Sequence, residues 1–85
     1  MILGKVKGNI ISTRKHEKLV GFKLLIIEPY YGNKKDTFIA ADRVGAGIGE
    51  LVLVATDYAV KSGLEQEAPI DALVVGIVDS EPEKR

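Results

Sequence analysis

The sequence predicts a mainly β fold: a small, partly open five-stranded barrel of the OB type, with one short helix between strands four and five. Glycines and prolines divide the 85-residue chain into short apolar segments. Most of these segments alternate between apolar and polar residues with the period of two that is typical of β-strands. A flat open sheet built from the same strands would leave long apolar edges exposed, so a barrel is favoured.

The first predicted strand lies within the first 13 residues and places Ile2, Val6 and Ile10 on one face together with Gly4 and Gly8. Two glycines on an inward face predict a strand that coils sharply or lets another backbone come close, as at a barrel corner. The other four strands are predicted at Phe22–Pro29, Thr37–Asp42, Glu50–Ala55 and Ala68–Asp79.

The connections between these strands carry turn and capping residues. A polar segment, Arg14–Gly21, joins the first two strands, and Gly32-Asn33 suits the reversal of a hairpin between strands two and three. Thr56–Leu64 is predicted to form one or two helical turns. Residues 1–79 are therefore expected to form a single domain, followed by a charged C-terminal tail at 80–85.

The size of the chain suggests that the domain needs support from outside its own core. A domain of 85 residues buries only about 60–65% of the surface that its unfolded chain exposes. The sequence contains no cysteine, which excludes disulfides, zinc–thiolate sites and thiol catalysis and fits a reducing cytoplasm. A single histidine also excludes a multi-histidine metal site. We therefore expect no metal or other cofactor, and oligomerisation as the source of support.

Charge and hydropathy restrict the partners. Twelve basic and twelve acidic residues cancel to a net charge of zero, whereas nucleic-acid-binding proteins usually carry a basic excess. Lysines and glycines interrupt the apolar residues at the start of the chain, and no apolar run approaches the roughly 20 residues of a membrane span. We expect a soluble cytoplasmic protein that binds neither nucleic acid nor membranes.

Three predicted strands are apolar on both faces, which is unusual for a small antiparallel barrel. In the second strand, for example, Leu24 and Ile26 oppose Leu25 and Ile27. One barrel interior can take only one of the two faces, and the other would expose more apolar surface than a monomer usually does. We therefore expect another copy of the chain to cover it. The candidate residues for the core or a subunit interface are Leu25, Ile27, Val52, Val54, Leu73, Val75 and Ile77.

The glycine-rich segment before the fourth strand resembles a phosphate-binding loop only superficially. Its spacing, Gly45-x-Gly47-x-Gly49, is one residue shorter than the G-x-G-x-x-G pattern of dinucleotide-binding folds. A strand follows it where such a loop requires the N-terminus of a helix. The preferred interpretation is a tight loop whose glycines adopt positive φ or permit close backbone approach.

Two further candidate sites are weaker. His16 lies in a polar loop without a nearby nucleophile or second metal ligand, and a solvated surface residue is the favoured interpretation. A single-stranded nucleic-acid site would combine basic residues with aromatic platforms. The residues available for it are Arg14, Lys15, His16, Lys18, Phe22, Tyr30, Tyr31 and Phe38, but their aromatic rings form no regular array on a sheet face.

Three sequence blocks resemble the EutN/CcmL family of bacterial microcompartment vertex proteins. They are T-R-K-H at Thr13–His16, D-x-V-G-A-G-x-G at Asp42–Gly49 and V-V-G-I-V-D at Val74–Asp79, and the resemblance extends from Met1 to about Asp79. It implies a non-enzymatic protein whose OB-type barrels assemble into five-membered rings at the vertices of a polyhedral shell. The implied partners are further copies of the chain, hexameric shell proteins and encapsulated enzymes.

The resemblance also suggests roles for two groups of residues. Near a fivefold axis five backbones crowd together, so we hypothesise that the small loop residues line or plug a central opening. This hypothesis concerns Gly45, Ala46, Gly47, Ile48 and Gly49. Arg14 and His16 are expected either to contact neighbouring subunits or shell proteins, or to lie in a solvated loop. The alternative function is an OB-type module that binds single-stranded nucleic acid or another ligand, and a small nucleotide-using enzyme is a more distant alternative.

Overall fold

A computed structural model of the protein describes residues 1–12, 15–33, 35–56 and 70–82. A 3-10 turn at Glu17–Leu19 lies in the connection between the first two strands. Most of the predicted helix, part of the predicted tail and Arg14 lie outside the described residues. The strands are β1 at Ile2–Ile10, β2 at Lys23–Pro29, β3 at Phe38–Asp42, β4 at Leu51–Thr56 and β5 at Ala72–Val78.

The five strands form a closed barrel in the order β1-β2-β3-β5-β4. Every neighbouring pair is antiparallel except β3 and β5, which run parallel and pair at one position, Ala41 with Leu73. The sequence predicts a partly open barrel. Closure arises because β4 pairs with β1 along Ile2–Lys5 and because β5 reaches β3 through that single pair.

Of the two glycines in β1, Gly4 marks the close approach that the sequence predicts. A Cβ atom at Gly4 would collide with Cγ2 of Ile27 and would lie 3.1 Å from the carbonyl oxygen of Glu28. The pairing of β1 with β2 also shifts register between Val6 and Gly8, as expected at a bulge that increases the local bend of the strand. Beyond this shift Gly8 and Ile10 pair with Ile26 and Leu24 on the outer wall, so the prediction that they share the inward face of Gly4 and Val6 is wrong. The barrel can therefore close tightly only because position 4 carries no side chain.

The interior of the barrel is filled by small and branched aliphatic side chains. Each strand contributes alternate residues to it, as a β-strand with one face in a core should. Ile2, Phe38 and Ile77 are partly buried and pack against this inner core. Its buried members are Val6, Leu25, Ile27, Ala40, Ala46, Val52, Val54, Ala72 and Val74.

A second apolar cluster lies on the outer wall of the barrel, where residues alternate with those of the inner core. Its buried members are Phe22, Ala41, Ala55 and Leu73, and Leu24 and Ile70 pack against them. The guanidinium carbon of Arg43 lies 4.1 Å from the centre of the Phe22 ring. This outer cluster shows that the chain covers part of its second apolar face itself, whereas the sequence-based expectation assigned that role to another copy.

Candidate assembly site

The glycine loop, residues 43–50, begins at a buried aspartate at the end of β3. Asp42 is only 1% exposed. Its Oδ1 accepts a hydrogen bond from the backbone N–H of Val44 at 2.8 Å. Its Oδ2 accepts from the N–H groups of Gly45 at 3.2 Å and Ala46 at 2.9 Å. One carboxylate therefore defines the first half of the loop, in the way that aspartate side chains often organise the turn that follows them.

The second half of the loop is held by other groups. Oε1 of Glu50 accepts a hydrogen bond from the N–H of Gly47 at 2.6 Å. The carbonyl oxygen of Val6 accepts one from the N–H of Gly49 at 2.8 Å. Gly45 and Gly49 have φ angles of 98° and 90°, a region that residues with a side chain rarely adopt, so these two positions require glycine.

These contacts exclude the loop as a phosphate cradle. Such a cradle needs backbone N–H groups that point outward at an anion. In this loop the N–H groups at 44–47 and 49 all donate within the chain. The side chain of Lys23 donates to the carbonyl oxygen of Ala46 at 3.1 Å, so this cation also supports the loop.

The predicted axis-lining residues differ in what they present to a partner. Ala46 is fully buried in the inner core, so its side chain fills its own barrel and is not available to line an opening. Ile48 is 65% exposed and Val44 is 49% exposed, which makes them the prominent apolar side chains of the loop. A position of this loop near a fivefold axis stays a prediction.

The structure separates the seven residues predicted for the core or a subunit interface. Leu25, Ile27, Val52 and Val54 are fully buried in the inner core, Ile77 packs against that core, and Leu73 belongs to the outer cluster. The pairing of β4 with β5 shifts register after Leu53 and leaves Val75 as the extra residue of a bulge. Of the seven, Val75 is the residue with a largely accessible side chain, 44% exposed.

Sequence analysis alone did not single out Ile39, an apolar residue that the outer wall exposes. The hairpin patch consists of Gly8, Ile26 and Ile39, which are paired in a row across β1, β2 and β3. Ile26 is half-buried and Ile39 is 53% exposed. Ile39 directly precedes the buried Ala40, and this alternation is the signal that would have identified it.

A second row of residues forms the β4 patch on another part of the outer wall. It consists of Leu3, Leu53 and Gly76, paired across β1, β4 and β5. Leu53 is 37% exposed although both of its neighbours in β4 are fully buried. Along β1, the exposed residues Lys5 and Lys7 lie between this patch and the hairpin patch. The outer wall therefore presents two separate apolar patches.

His16 has a local role in the connection between β1 and β2. Its imidazole Nδ1 accepts a hydrogen bond from the N–H of Lys18 at 3.0 Å, and its carbonyl oxygen accepts one from Leu19 at 2.8 Å. The side chain is exposed at the start of the 3-10 turn. A contact of His16 or Arg14 with a neighbouring subunit stays a prediction.

The aromatic residues that the structure describes do not form a platform for nucleic-acid bases. Phe22 is buried in the outer cluster and Phe38 packs against the inner core. Tyr30 and Tyr31 contact each other edge to face, with ring centres 5.0 Å apart. Partial burial and then the negative charge of Glu81 raise the pKa of Tyr30 above its usual 10.0. A negative charge beside the ring is unfavourable for a phosphate backbone.

Other functional sites were sought in the part of the chain that the structure describes. Residues 1–12, 15–33, 35–56 and 70–82 contain no cluster of three or more His, Cys, Asp or Glu side chains able to hold a metal ion. No helix within these ranges has the length and apolar character needed to cross a membrane.

Comparison with known proteins gives consistent results over nearly the whole chain. A family model described as "Ethanolamine utilisation protein EutN/carboxysome" matches residues 1–79. The microcompartment shell vertex protein GrpN of Rhodospirillum rubrum is 40% identical over 84 residues, which cover 94% of both proteins. The carboxysome shell vertex protein CcmL of Synechocystis sp. is 42% identical over 84 residues, covering 94% of this chain and 84% of CcmL. The solved structure of GrpN, a pentameric microcompartment shell protein, has a TM-score of 0.83 at 39% identity and covers 100% of both chains.

Proposed function

The chain belongs to the EutN/CcmL family, and we propose that it is a structural shell protein that forms pentamers at the vertices of a polyhedral bacterial microcompartment. Such a protein acts by assembly and not by catalysis, and it works in the cytoplasm as part of the shell. One observation of the structure supports this function most directly: the outer wall carries two separate apolar patches that the described residues of the chain do not cover.

A closed ring requires two different surfaces on each subunit. In a twofold dimer one patch meets its own copy, whereas in a ring one patch of a subunit meets a different patch of the next. We assign these roles to the hairpin patch and the β4 patch. Ile39 of the hairpin patch is 53% exposed and Leu53 of the β4 patch is 37% exposed, so the two patches differ in relief as well as in position. Each subunit interface should bury on the order of 1,000 Å² or more.

The glycine loop and the polar connection after β1 are assigned to further contacts of the ring. Ile48 and Val44 are exposed on a loop with little side-chain bulk, which favours a position close to the symmetry axis. Arg14 and His16 are assigned to contacts with neighbouring subunits or with hexameric shell proteins. A flat layer of hexagonal units closes into a polyhedron when fivefold units are inserted, and this requirement makes hexameric shell proteins the expected partners. Encapsulated enzymes are a further proposed partner.

Native mass spectrometry of matched variants tests the proposal. We expect the unaltered protein to give a five-subunit mass at micromolar concentration. Ile39→Ser removes the most exposed side chain of the hairpin patch and should raise the dissociation constant of the ring by about tenfold or more, because a buried isoleucine contributes about 1.5–3 kcal/mol. Ile11→Ser is the control, since Ile11 is 92% exposed and lies outside both patches, and this variant should remain pentameric.

Two results would contradict the proposal. A monomer as the dominant species of the unaltered protein at micromolar concentration would exclude the ring. Equal ring stability in the Ile39→Ser and Ile11→Ser variants would exclude the hairpin patch from the subunit interface.

A further inference from the structure

The glycine loop is organised more completely than a simple connection between β3 and β4 requires. Burial of a carboxylate is unfavourable unless hydrogen bonds compensate the loss of hydration. Asp42 is 1% exposed. Its Oδ1 accepts a hydrogen bond from the N–H of Val44, and its Oδ2 accepts hydrogen bonds from the N–H groups of Gly45 and Ala46. The chain therefore places a buried charge at this position to fix the shape of a loop that is itself largely exposed.

The same loop exposes apolar side chains on its outer side. Its N–H groups point toward Asp42, Glu50 and Val6 within the chain, while Ile48 and Val44 remain accessible to solvent. An apolar surface held in one conformation loses less conformational entropy when it binds than a mobile one does. The loop therefore has the properties of a preorganised contact surface.

We propose that Asp42 is a positioning residue for assembly: its carboxylate holds the glycine loop in the conformation in which Val44 and Ile48 contact a neighbouring copy of the chain. This inference rests on the proposed pentamer, because the neighbouring copy is the occupant of that surface. Asp42 itself makes no contact across the interface. Its loss should weaken the ring while leaving the barrel folded.

Two carboxylates of the loop provide a matched pair of variants. Both carboxylate oxygens of Asp42 accept hydrogen bonds from backbone N–H groups. In Asp42→Asn an NH₂ group replaces one of these oxygens, and it cannot accept a hydrogen bond from the N–H group that it faces. Within the loop, Glu50 accepts through Oε1, and the amide oxygen of Glu50→Gln can take over that contact. The two substitutions each remove one negative charge, but Asp42→Asn disrupts the hydrogen bonds of the loop and Glu50→Gln preserves them.

Hydrogen exchange combined with native mass spectrometry tests the proposal. In Asp42→Asn we expect exchange at the amides of Val44–Ala46 to accelerate by about tenfold or more, with strand amides unchanged, because a buried hydrogen bond is lost locally. The dissociation constant of the ring should rise by about tenfold. In Glu50→Gln both quantities should stay within about twofold of the unaltered protein.

A third variant keeps the proposal testable if Asp42→Asn does not fold. Lys23→Met removes the contact of the exposed lysine with the carbonyl oxygen of Ala46 and leaves the inner core intact. It should raise the dissociation constant of the ring by about threefold without loss of the fold. If Lys23→Met leaves the ring unchanged while Asp42→Asn unfolds the barrel, Asp42 is a folding residue and the proposal is wrong.

Other outcomes separate this inference from the proposed function. An unaltered protein that is monomeric would overturn the pentamer, and hydrogen exchange of that monomer would still report whether Asp42 fixes the loop. Rings that form normally from Asp42→Asn, with rapid exchange at Val44–Ala46, would overturn the positioning role and leave the pentamer in place.

Discussion

The inner and outer walls of the barrel are built from neighbouring residues of the same strands but are completed in different ways. The inner core is filled within one chain, and residues such as Leu25 and Val54 are fully buried there. The outer wall is covered by its own chain only at the outer cluster, while Ile39 and Leu53 stay exposed. The difference predicts that stability of the fold and formation of the proposed ring depend on opposite faces of the strands and can be altered separately.

The largest expected effect contrasts two leucines, one on each wall. Leu25→Ala leaves a cavity in the inner core and should lower the free energy of unfolding by about 2–5 kcal/mol. Leu53→Ala removes a partly exposed side chain and should change the free energy of unfolding by less than about 1 kcal/mol. Urea unfolding measures both in the Ile39→Ser background, at a protein concentration below the dissociation constant of the ring, so that assembly does not contribute to stability. Similar losses for the two variants would show that the walls are not energetically distinct.

A smaller effect is expected from two glycines of β1. In Gly4→Ala the new methyl group collides with Ile27 and approaches the backbone of Glu28, so the free energy of unfolding should fall by about 1–3 kcal/mol. At Gly8 the nearest atom to a new Cβ is Cδ1 of Ile26, at an ordinary 3.7 Å. Gly8→Ala should therefore leave the free energy of unfolding measured in urea unchanged or raise it slightly, by about 0.5 kcal/mol. A greater loss for Gly8→Ala would contradict the tight packing assigned to Gly4.

The smallest effect concerns the cover of the outer cluster. Arg43→Ala removes the guanidinium group above the Phe22 ring and should lower the free energy of unfolding by about 0.5–1 kcal/mol. Arg43→Lys keeps a cation within reach and should retain part of that contribution. Thermal unfolding in the same Ile39→Ser background resolves differences of this size. If Arg43→Ala is as stable as the protein that retains Arg43, then Phe22 alone covers the outer cluster.

Several features could be predicted from the sequence because they depend on local chemistry. Short apolar segments bounded by glycines and prolines located the five strands, and the glycines of β1 predicted the close backbone approach that is found at Gly4. The spacing of Gly45, Gly47 and Gly49, and the strand that follows them, already argued against a phosphate loop. The hydrogen bonds from the loop N–H groups confirm that conclusion.

Most of the features that sequence analysis missed depend on contacts between different strands. Sequence analysis did not distinguish which apolar face of a strand points into the barrel. In β5 the register of its pairing with β4 determines this, since it places Val75 on the outside and Ile77 on the inside. Sequence analysis assigned Ala46 to a central opening, whereas the fold turns this side chain into the core. It named Asp42 only as the end of a strand and the first residue of the D-x-V-G-A-G-x-G block, because spacing alone does not indicate that both carboxylate oxygens are buried against the loop.

The sequence by itself determined a small cysteine-free β domain with more apolar strand surface than one barrel interior can hold, since composition and alternation are local properties. Its resemblance to vertex proteins indicated the ring. Only the tertiary structure decided which apolar residues face inward, which are covered by Phe22 and which remain exposed in the hairpin and β4 patches. The physical reason is that barrel closure and the two register shifts set the facing of each side chain, and both arise from pairing between strands, which the residue pattern within one segment does not determine.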